Sequence, residues 1–296
     1  MVLVVIQNVV GAFLAKGLGV SPLIGLAAGS ISLIGGHGTS AAFGPLLEQA
    51  GAIGALPVAI AAATYGLVAG CVIGGPVGTL LMRRNKLTGR PSAAQEHDQA
   101  AMGEPATAVA RSDDAILKTT MLLVTCIGVG TILVNLLKQA NITIPAYLGP
   151  MFVAAIVRNV IDYKEWRMPE REFEIVGNVS LAFFLTLALM SMKLWELAAV
   201  AGPMVAILLV QTVIMFAIAY FVTFRVMGSD YDAAVIAAGH CGFGMGATPN
   251  AMANMEAFTR VNGPSFKAFF VIPLVGSLFI DFFNAIAITS FISFFQ

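Results

Sequence analysis

The sequence is poor in charge. Its 16 basic and 16 acidic residues make up 11% of 296 positions, against about 25% in a typical soluble domain, and they cancel to a net charge of zero. This composition excludes a soluble globular enzyme, a disordered chain and a nucleic-acid-binding protein, which needs an excess of basic residues. The three cysteines, Cys71, Cys126 and Cys241, lie far apart in apolar or glycine-rich runs and indicate neither a disulfide framework nor a zinc site.

Apolar residues are abundant: 58% of the chain is hydrophobic and the mean hydropathy is +0.88. A membrane-spanning helix needs about 20 mostly apolar residues. Segment 1–19 lacks the basic start and the small-residue cleavage site of a signal peptide. We therefore predict an all-α polytopic membrane protein with about seven spanning helices, near 1–19, 53–82, 116–138, 144–162, 174–191, 196–226 and 266–294.

Most charges fall in two short windows. Residues 83–115 carry ten of them and residues 158–174 carry nine, so both windows are predicted to be loops in water. Placing the first loop in the cytoplasm puts 13 of the 16 basic residues on or near that side, as the positive-inside rule requires. The predicted organisation is a first repeat over 1–85, a cytoplasmic linker over 86–115 and a second repeat over 116–296.

Two apolar segments, 20–52 and 230–262, are interrupted by glycine clusters that each contain one histidine, His37 or His240. Their apolar arms are too short to cross a bilayer. Irregular backbone at membrane depth is tolerated only where it lines a watery cavity, because unpaired backbone groups are costly in lipid. Both segments are therefore predicted to be re-entrant hairpins whose tips lie in a transport pathway.

The two hairpins resemble each other. Gln7 precedes His37 by 30 residues and Gln211 precedes His240 by 29. The helix count makes one hairpin enter from outside and the other from the cytoplasm, so the repeats are predicted to be inverted, as in many secondary transporters. The second repeat has about three helices before its glutamine-bearing helix and the first has none. We expect a truncated or mis-started form of a longer carrier, with internal initiation as the alternative.

Several motifs carry a family resemblance. The runs 29–39, 194–198, 231–235, 238–244 and 279–285 resemble those of the bacterial sodium/glutamate symporter family. That resemblance implies two inverted five-helix repeats, import of L-glutamate with Na⁺ by alternating access, a homodimer, and residence in the bacterial inner membrane as a multi-pass protein. It implies Na⁺ as coupling ion, no cofactor and no nucleic-acid partner. This sequence lacks the family's first three helices.

The implied substrate is an anion, and helix N-termini offer N–H donors and a positive dipole end without a buried cation. The alternative roles are back-bonding of Ser and Thr to their own helix and bracing of the tips by the histidines. We expect the substrate-binding site to be formed by the tip residues that are small or carry a hydroxyl, amide or imidazole group: His37, Gly38, Thr39, Ser40, His240, Gly242, Gly244, Gly246, Thr248 and Asn250.

Na⁺ prefers oxygen ligands. Asp281 lies about halfway along the last helix, and an intramembrane carboxylate is a candidate functional group by default. Asn284 shares its helical face, and Gln7 and Gln211 occupy matching helices of the two repeats. We assign these four residues to Na⁺ binding or coupling. The alternative is that they only hydrogen-bond the hairpin backbone.

The predicted function is therefore Na⁺-coupled import of L-glutamate. Alternatives are a carrier of another dicarboxylate or amino acid, and a passive channel with two re-entrant loops. A channel could equilibrate its substrate but never concentrate it. A membrane enzyme is disfavoured because it needs a paired nucleophile and base, or two facing aspartates, and only Asp281 is convincingly intramembrane.

Overall fold

A computed structural model describes residues 1–89, 113–139, 148–166, 168–191 and 194–295. These residues form helices and connecting turns, and they contain no strand. The chain divides into two compact units: the first combines Met1–Glu104 with Lys193–Gln296, and the second is Pro105–Met192. The predicted all-α class is confirmed. Both predicted hairpins belong to the first unit.

The first unit contains most of the helices. In chain order they are α1 (Val2–Gly17), α2 (Pro22–Leu26) with a π-helical turn (Ala27–Ile31), α3 (Gly36–Gln49), α4 (Ala55–Arg84), α8 (Leu194–Ala217) with a π-helical segment (Ile218–Thr223), α9 (Phe224–Val226), α10 (Tyr231–Gly246), α11 (Thr248–Asn262), α12 (Phe266–Val275) with a π-helical turn (Gly276–Ile280), and α13 (Asp281–Phe295).

The second unit contains α5 (Asp113–Gln139), α6 (Leu148–Tyr163) and α7 (Glu170–Ser191). Helices α5 and α6 cross where two glycines meet, because a Cβ atom on Gly130 would lie 2.1 Å from the nitrogen of Pro150 and one on Gly149 would lie 2.3 Å from the Gly130 carbonyl oxygen. Such small-residue crossings let membrane helices approach closely. The outer face of α5 is apolar and exposed, as a lipid-facing surface requires.

Three helical stretches in the described part of the chain are long and apolar enough to cross a membrane: Ala55–Arg84, Ala115–Leu137 and Ala198–Val226. Four others are apolar but shorter: Val2–Gly17, Pro22–Ile31, Phe266–Val275 and Asp281–Phe295. Each of the seven predicted spanning segments coincides with helix over its described residues, apart from one or two positions at the ends of 1–19 and 53–82. The last of them is interrupted by the π-helical turn that separates α12 from α13.

The first hairpin folds as two arms joined at Gly35–Gly36. Its ascending arm begins at Ser21, whose hydroxyl accepts a hydrogen bond from the Leu23 N–H, and at Pro22, which suits a first helical turn. Gly29 leaves the helical conformation within that arm (φ −103°, ψ −135°). Gly36 then adopts φ +61°, which glycine tolerates without a steric penalty, and α3 starts there.

The second hairpin turns at a different place from the one predicted. Its glycine cluster, 239–246, stays helical and buried within α10, and the chain reverses at Ala247 (φ +91°, ψ 171°), two residues before Pro249 in the first turn of α11. The glycines are needed for packing: a Cβ atom on Gly242 would lie 2.7 Å from the carbonyl oxygen of Asn250. The prediction of irregular backbone across this cluster is therefore wrong, because its glycines allow helices to approach.

Helix α4 relates the two hairpins. At its start the Leu56 N–H donates to Glu48 Oε1 (3.2 Å) at the open end of the first hairpin. At Gly66 it contacts Met245, one turn of helix or less from the tip of the second hairpin, and at Gly78 it contacts Phe258 near that hairpin's open end. The hairpins therefore enter from opposite ends of α4, and their tips meet beside its middle. The distance from Leu56 to Gly78 is about 33 Å, close to the thickness of a bilayer core.

Candidate substrate and ion site

The N-termini of α3 and α11 converge where the hairpin tips meet. A Cβ atom on Gly36 would lie 3.7 Å from the Cβ of Ala247. Neither helix has a side-chain hydrogen bond at its N-cap. Both positive dipole ends, with their N–H groups, therefore face one small region, and this arrangement attracts anions.

The first tip presents most of its predicted residues to this region. His37 is half-buried, and its Nε2 lies 3.1 Å from Thr64 Oγ1 of α4. Gly38 is exposed, with no neighbouring atom within 4 Å of an added Cβ. Thr39 is half-buried. Ser40 differs, because it is fully buried and its hydroxyl donates to the carbonyls of Gly36 (2.8 Å) and Ala59 (3.2 Å).

At the second tip, Thr248 stands at the start of α11 and is half-buried. Its Oγ1 would lie 3.0 Å from a Cβ atom on Gly276, so the π-helical turn before α13 also borders the tip. Asn250 is already occupied: its Nδ2 donates to the Leu67 carbonyl (3.1 Å) and its Oδ1 accepts from Cys71 Sγ (2.8 Å). Thr248 thus remains available to a ligand, whereas Asn250 joins the second hairpin to α4.

The structure does not bring the two histidines together. His240 lies within α10, seven residues before Ala247, which corresponds to about 10 Å along the helix. Its Nδ1 is 2.8 Å from Thr223 Oγ1. Gly242, Gly244 and Gly246 lie in the same helix, buried at close contacts with neighbouring helices. The expected equivalence of the two histidines at the tips is therefore wrong: only His37 is at a tip.

His240 and Thr223 instead line a cavity of about 440 Å³ between α1, the π-helical segment after α8, α10 and α12. Among the described residues that line it, they alone have polar side chains, and the others are apolar or glycine. An amino-acid dicarboxylate needs several donors to leave water. This cavity does not offer them, so the tips are the better substrate site.

A cluster of buried amides lies beside the hairpins. Gln7 Nε2 donates to the Gly244 carbonyl (2.8 Å), and Gln211 Nε2 donates to the Gln7 carbonyl (2.7 Å). Asn284 Nδ2 donates to the carbonyl of Ser30 (3.2 Å), in the broken arm of the first hairpin. The cluster thus connects α1, α8 and α13 to both hairpins. All three side chains were identified in the sequence from their position in apolar helices.

The oxygen atoms of these same amides have no hydrogen-bond partner among the described residues: Gln7 Oε1, Gln211 Oε1 and Asn284 Oδ1. All three side chains are buried, with 0%, 0% and 2% exposure. A buried acceptor left unpaired costs about 1–3 kcal/mol, so such atoms need an explanation. Amide oxygens are ligands that hard cations prefer. Asp281, three residues before Asn284, is exposed at the start of α13.

Sequence analysis missed two residues that organise this region. Asn8 Oδ1 accepts from the N–H (3.2 Å) and hydroxyl (2.9 Å) of Ser30, and so caps the half-helix that follows the break at Gly29. Asn254 Nδ2 bridges the carbonyls of Gly70 (3.0 Å) and Ala238 (3.1 Å). Both could have been suspected, because Asn8 adjoins Gln7 and Asn254 lies one helical turn after Asn250.

Comparison of the amino-acid sequence with known proteins identifies one family. The model of the family described as sodium/glutamate symporter matches residues 1–264. The chain is 46% identical over 289 residues to the sodium/glutamate symporter of Escherichia coli (strain K12), covering 97% of this chain and 72% of that protein. It is 42% identical over 282 residues to the sodium/glutamate symporter of Haemophilus influenzae, covering 94% and 70%. No solved structure matches this chain.

Proposed function

Because the chain belongs to the sodium/glutamate symporter family, we propose that it couples the movement of Na⁺ to the import of L-glutamate. The observation that carries the proposal is the meeting of two uncapped helix N-termini beside a cluster of buried amides with unpaired oxygens. The first feature suits an anion and the second suits a cation. A symporter needs both in one place.

The glutamate carboxylates are assigned to the N-termini of α3 and α11. Glutamate carries two carboxylates, and two converging dipole ends can bind both without a buried lysine or arginine. Thr39 and Thr248 add hydroxyl donors at the two tips, and His37 adds an imidazole nitrogen. Gly38 leaves room for the ligand to approach the backbone. His240, Gly242, Gly244, Gly246, Ser40 and Asn250 act through packing and hydrogen bonds that hold the tips in place.

The Na⁺ ion is assigned to the amide cluster. Gln7, Gln211 and Asn284 offer three neutral oxygens, and the arm of the first hairpin breaks nearby at Gly29. Asp281, on the helix that carries Asn284, is exposed and is assigned to coupling, outside the set of direct Na⁺ ligands. Since these amides contact both hairpins, an ion bound there stabilises the arrangement in which the two tips meet. Na⁺ and glutamate then favour the same conformation, which is the thermodynamic basis of coupling.

The transport cycle is proposed to be alternating access around the tips, in a homodimer that crosses the bacterial inner membrane several times. Hairpins that enter from opposite ends of α4 support such a cycle, because each tip separates the shared region from one end of that helix. Three stretches long and apolar enough to cross a membrane, and the bacterial relatives, support the location.

The experiment that tests this function is uptake of labelled L-glutamate into proteoliposomes containing the purified chain. An inward Na⁺ gradient is expected to drive accumulation above the external concentration, and a K⁺ gradient is not. Equilibration without accumulation would identify a channel. Unlabelled aspartate and other dicarboxylates, added as competitors, define the substrate. Uptake that ignores Na⁺ would overturn the proposal.

The ion site is tested separately with Asn284→Leu. Loss of one oxygen ligand is expected to raise the Na⁺ concentration for half-maximal uptake about tenfold, as removal of one charge-assisted interaction of about 1.4 kcal/mol would. Asn284→Asp keeps an oxygen and should retain Na⁺ dependence. Asn159→Leu is the control, because that amide is exposed and its one hydrogen bond within the described part of the chain goes to the Ala155 carbonyl of its own helix (2.8 Å). An unchanged Na⁺ requirement in Asn284→Leu would remove the residue from the ion site.

A further inference from the structure

A second cavity, which is polar, lies far along α4 from the tips, where the long helices end. It has a volume of about 80 Å³ and is lined by Arg84, Asn85, Tyr220, Phe221 and Arg225, with Leu81 and Phe224 completing its wall. The spanning stretches Ala55–Arg84 and Ala198–Val226 both terminate beside it. A cavity at the ends of two spanning helices lies at the level of the lipid headgroups.

The polar groups of this cavity are all neutral or positively charged. Arg84 Nη1 donates to the Tyr220 hydroxyl (3.0 Å), and its guanidinium carbon lies 5.9 Å from the centroid of the Tyr220 ring. The hydroxyl oxygen therefore accepts from Arg84, and its own hydrogen is available to a further acceptor. Among the residues that the structure describes, none of those lining the cavity is acidic. Ion pairs among the described residues involve other cations, Arg158 and Lys267.

Two guanidinium groups, an amide and a free O–H together favour an anion with several oxygen atoms. Arginine binds phosphate through paired N–H groups, and a phosphate monoanion or diester presents oxygens in several directions. Tyr220 is 8% exposed, so its hydroxyl is held in a fixed position. The cavity size is also appropriate, since it accommodates a small headgroup and not a folded peptide.

The surface beside the cavity is apolar and open. Phe221, which lines the cavity, is 51% exposed, and Leu80, next to the lining residue Leu81, is 44% exposed. These side chains follow the last two turns of the same spanning helices. A free phosphate ion makes no use of such a surface, whereas hydrocarbon chains gain about 25 cal/mol per Å² of apolar area that they cover. The ligand is therefore expected to be amphiphilic.

We propose that this cavity binds the phosphate of an anionic phospholipid, with the acyl chains lying along Leu80 and Phe221. The chemistry that recognises the lipid is the pair Arg84 and Arg225 together with the Tyr220 hydroxyl. Basic pockets at the ends of membrane helices are a general mode of lipid recognition. This site is separate from the substrate region and does not depend on the transport proposal.

The test is native mass spectrometry of the full chain in detergent, titrated with phosphatidylglycerol and separately with phosphatidylcholine of the same acyl chains. Removal of both charges in Arg84→Gln/Arg225→Gln is expected to weaken phosphatidylglycerol binding about 30-fold and to leave phosphatidylcholine binding unchanged. Arg260→Gln is the control for loss of one nearby positive charge, for which about fivefold weakening per charge is expected only at the cavity. Arg260 lies at the end of α11, close to the chain that follows α4, because Gly89 contacts Asn262 there.

Two further arms make the result decisive. Tyr220→Phe keeps both charges and the packing, and it should weaken phosphatidylglycerol binding about fivefold through loss of one hydrogen bond. It therefore tests the site even if the double variant does not fold. Millimolar inorganic phosphate is added as a competitor: complete displacement of the lipid would show a site for free phosphate and overturn the lipid assignment. Equal loss of binding in Arg260→Gln would also overturn it.

Discussion

Adding one methyl group at Gly66 tests whether α4 holds the tip of the second hairpin. A Cβ atom there would lie 2.0 Å from the Met245 carbonyl oxygen and 3.0 Å from Leu33 Cδ2. The nearer obstacle is backbone, so no side-chain rotation can relieve it. Because non-bonded carbon contacts are favourable near 3.5 Å, α10 must move away from α4 by roughly 1 Å or more.

The loss of stability in Gly66→Ala follows from this displacement of α10. Overpacking a close contact costs about 1–3 kcal/mol. Asn254 of α11 also bonds to the Ala238 carbonyl of α10 (3.1 Å), so α11 is pulled along with α10. The movement then stretches the hydrogen bonds that Asn250 and Asn254 donate to the carbonyls of Leu67 (3.1 Å) and Gly70 (3.0 Å) in α4. The better helix propensity of alanine offsets about 1 kcal/mol of this. We expect Gly66→Ala to lower the free energy of unfolding by about 2 kcal/mol, which corresponds to roughly 4–8 °C in melting temperature.

Gly75→Ala is the matched control. It makes the same chemical change in the same helix, but its Cβ has no neighbour within 4 Å. Helix propensity alone then predicts a change between zero and a gain of about 1 kcal/mol. Thermal unfolding of both variants in one detergent, followed by circular dichroism, measures the difference. If Gly66→Ala melts at the temperature of Gly75→Ala, the close approach of α4 and α10 is refuted.

Three other variants separate positioning residues from ligand-contacting ones. Ser40→Ala should lower the free energy of unfolding by about 1 kcal/mol, because the Ser40 hydroxyl bonds to two buried carbonyls. The KM for glutamate should stay unchanged, and a large rise in KM would place Ser40 in the substrate site. Asn254→Leu should lower the free energy of unfolding by about 1–3 kcal/mol, because the carbonyls of Gly70 and Ala238 lose a donor. An unchanged melting temperature would show that Asn254 does not bridge α4 and α10. Ala247→Gly should raise the melting temperature, since φ +91° strains alanine by about 1–3 kcal/mol, and a lower melting temperature would argue against this turn.

The sequence was sufficient to predict the hairpins but not the position of each turn. Two glycine-rich interruptions in apolar runs indicate half-crossing elements whatever their exact geometry. A glycine, however, can either adopt a backbone conformation that other residues avoid or allow a neighbouring helix to approach closely. The sequence alone does not distinguish these two roles. Gly36 uses the first property, with φ +61°, and Gly242 uses the second, against the backbone of α11. Only the position of the neighbouring helix decides between the two uses.

The same limit applies to the site. Polar residues in apolar helices could be identified from the sequence, and Gln7, Gln211 and Asn284 are indeed buried side by side with the hairpin arms. What could not be predicted is which atom of a side chain is already engaged. Asn250 is predicted to face the substrate, yet its amide bonds to Leu67, 183 positions away in sequence. Long-range pairings of this kind depend on tertiary contacts that local patterns do not encode.

The chemistry of the region explains why neutral groups suit a symporter. A buried arginine at the tips would bind glutamate tightly even without Na⁺, and the ion would then add little to affinity. Helix N-termini and amide oxygens carry only partial charges, so neither ligand is fully compensated when it binds alone. When both bind, each offsets part of the other's desolvation cost through direct attraction in a medium of low dielectric constant. Weak, neutral ligation therefore makes the binding of Na⁺ and the binding of glutamate interdependent. We expect a lysine or arginine introduced at the tip, as in Thr39→Arg, to increase Na⁺-independent glutamate binding and to abolish glutamate accumulation.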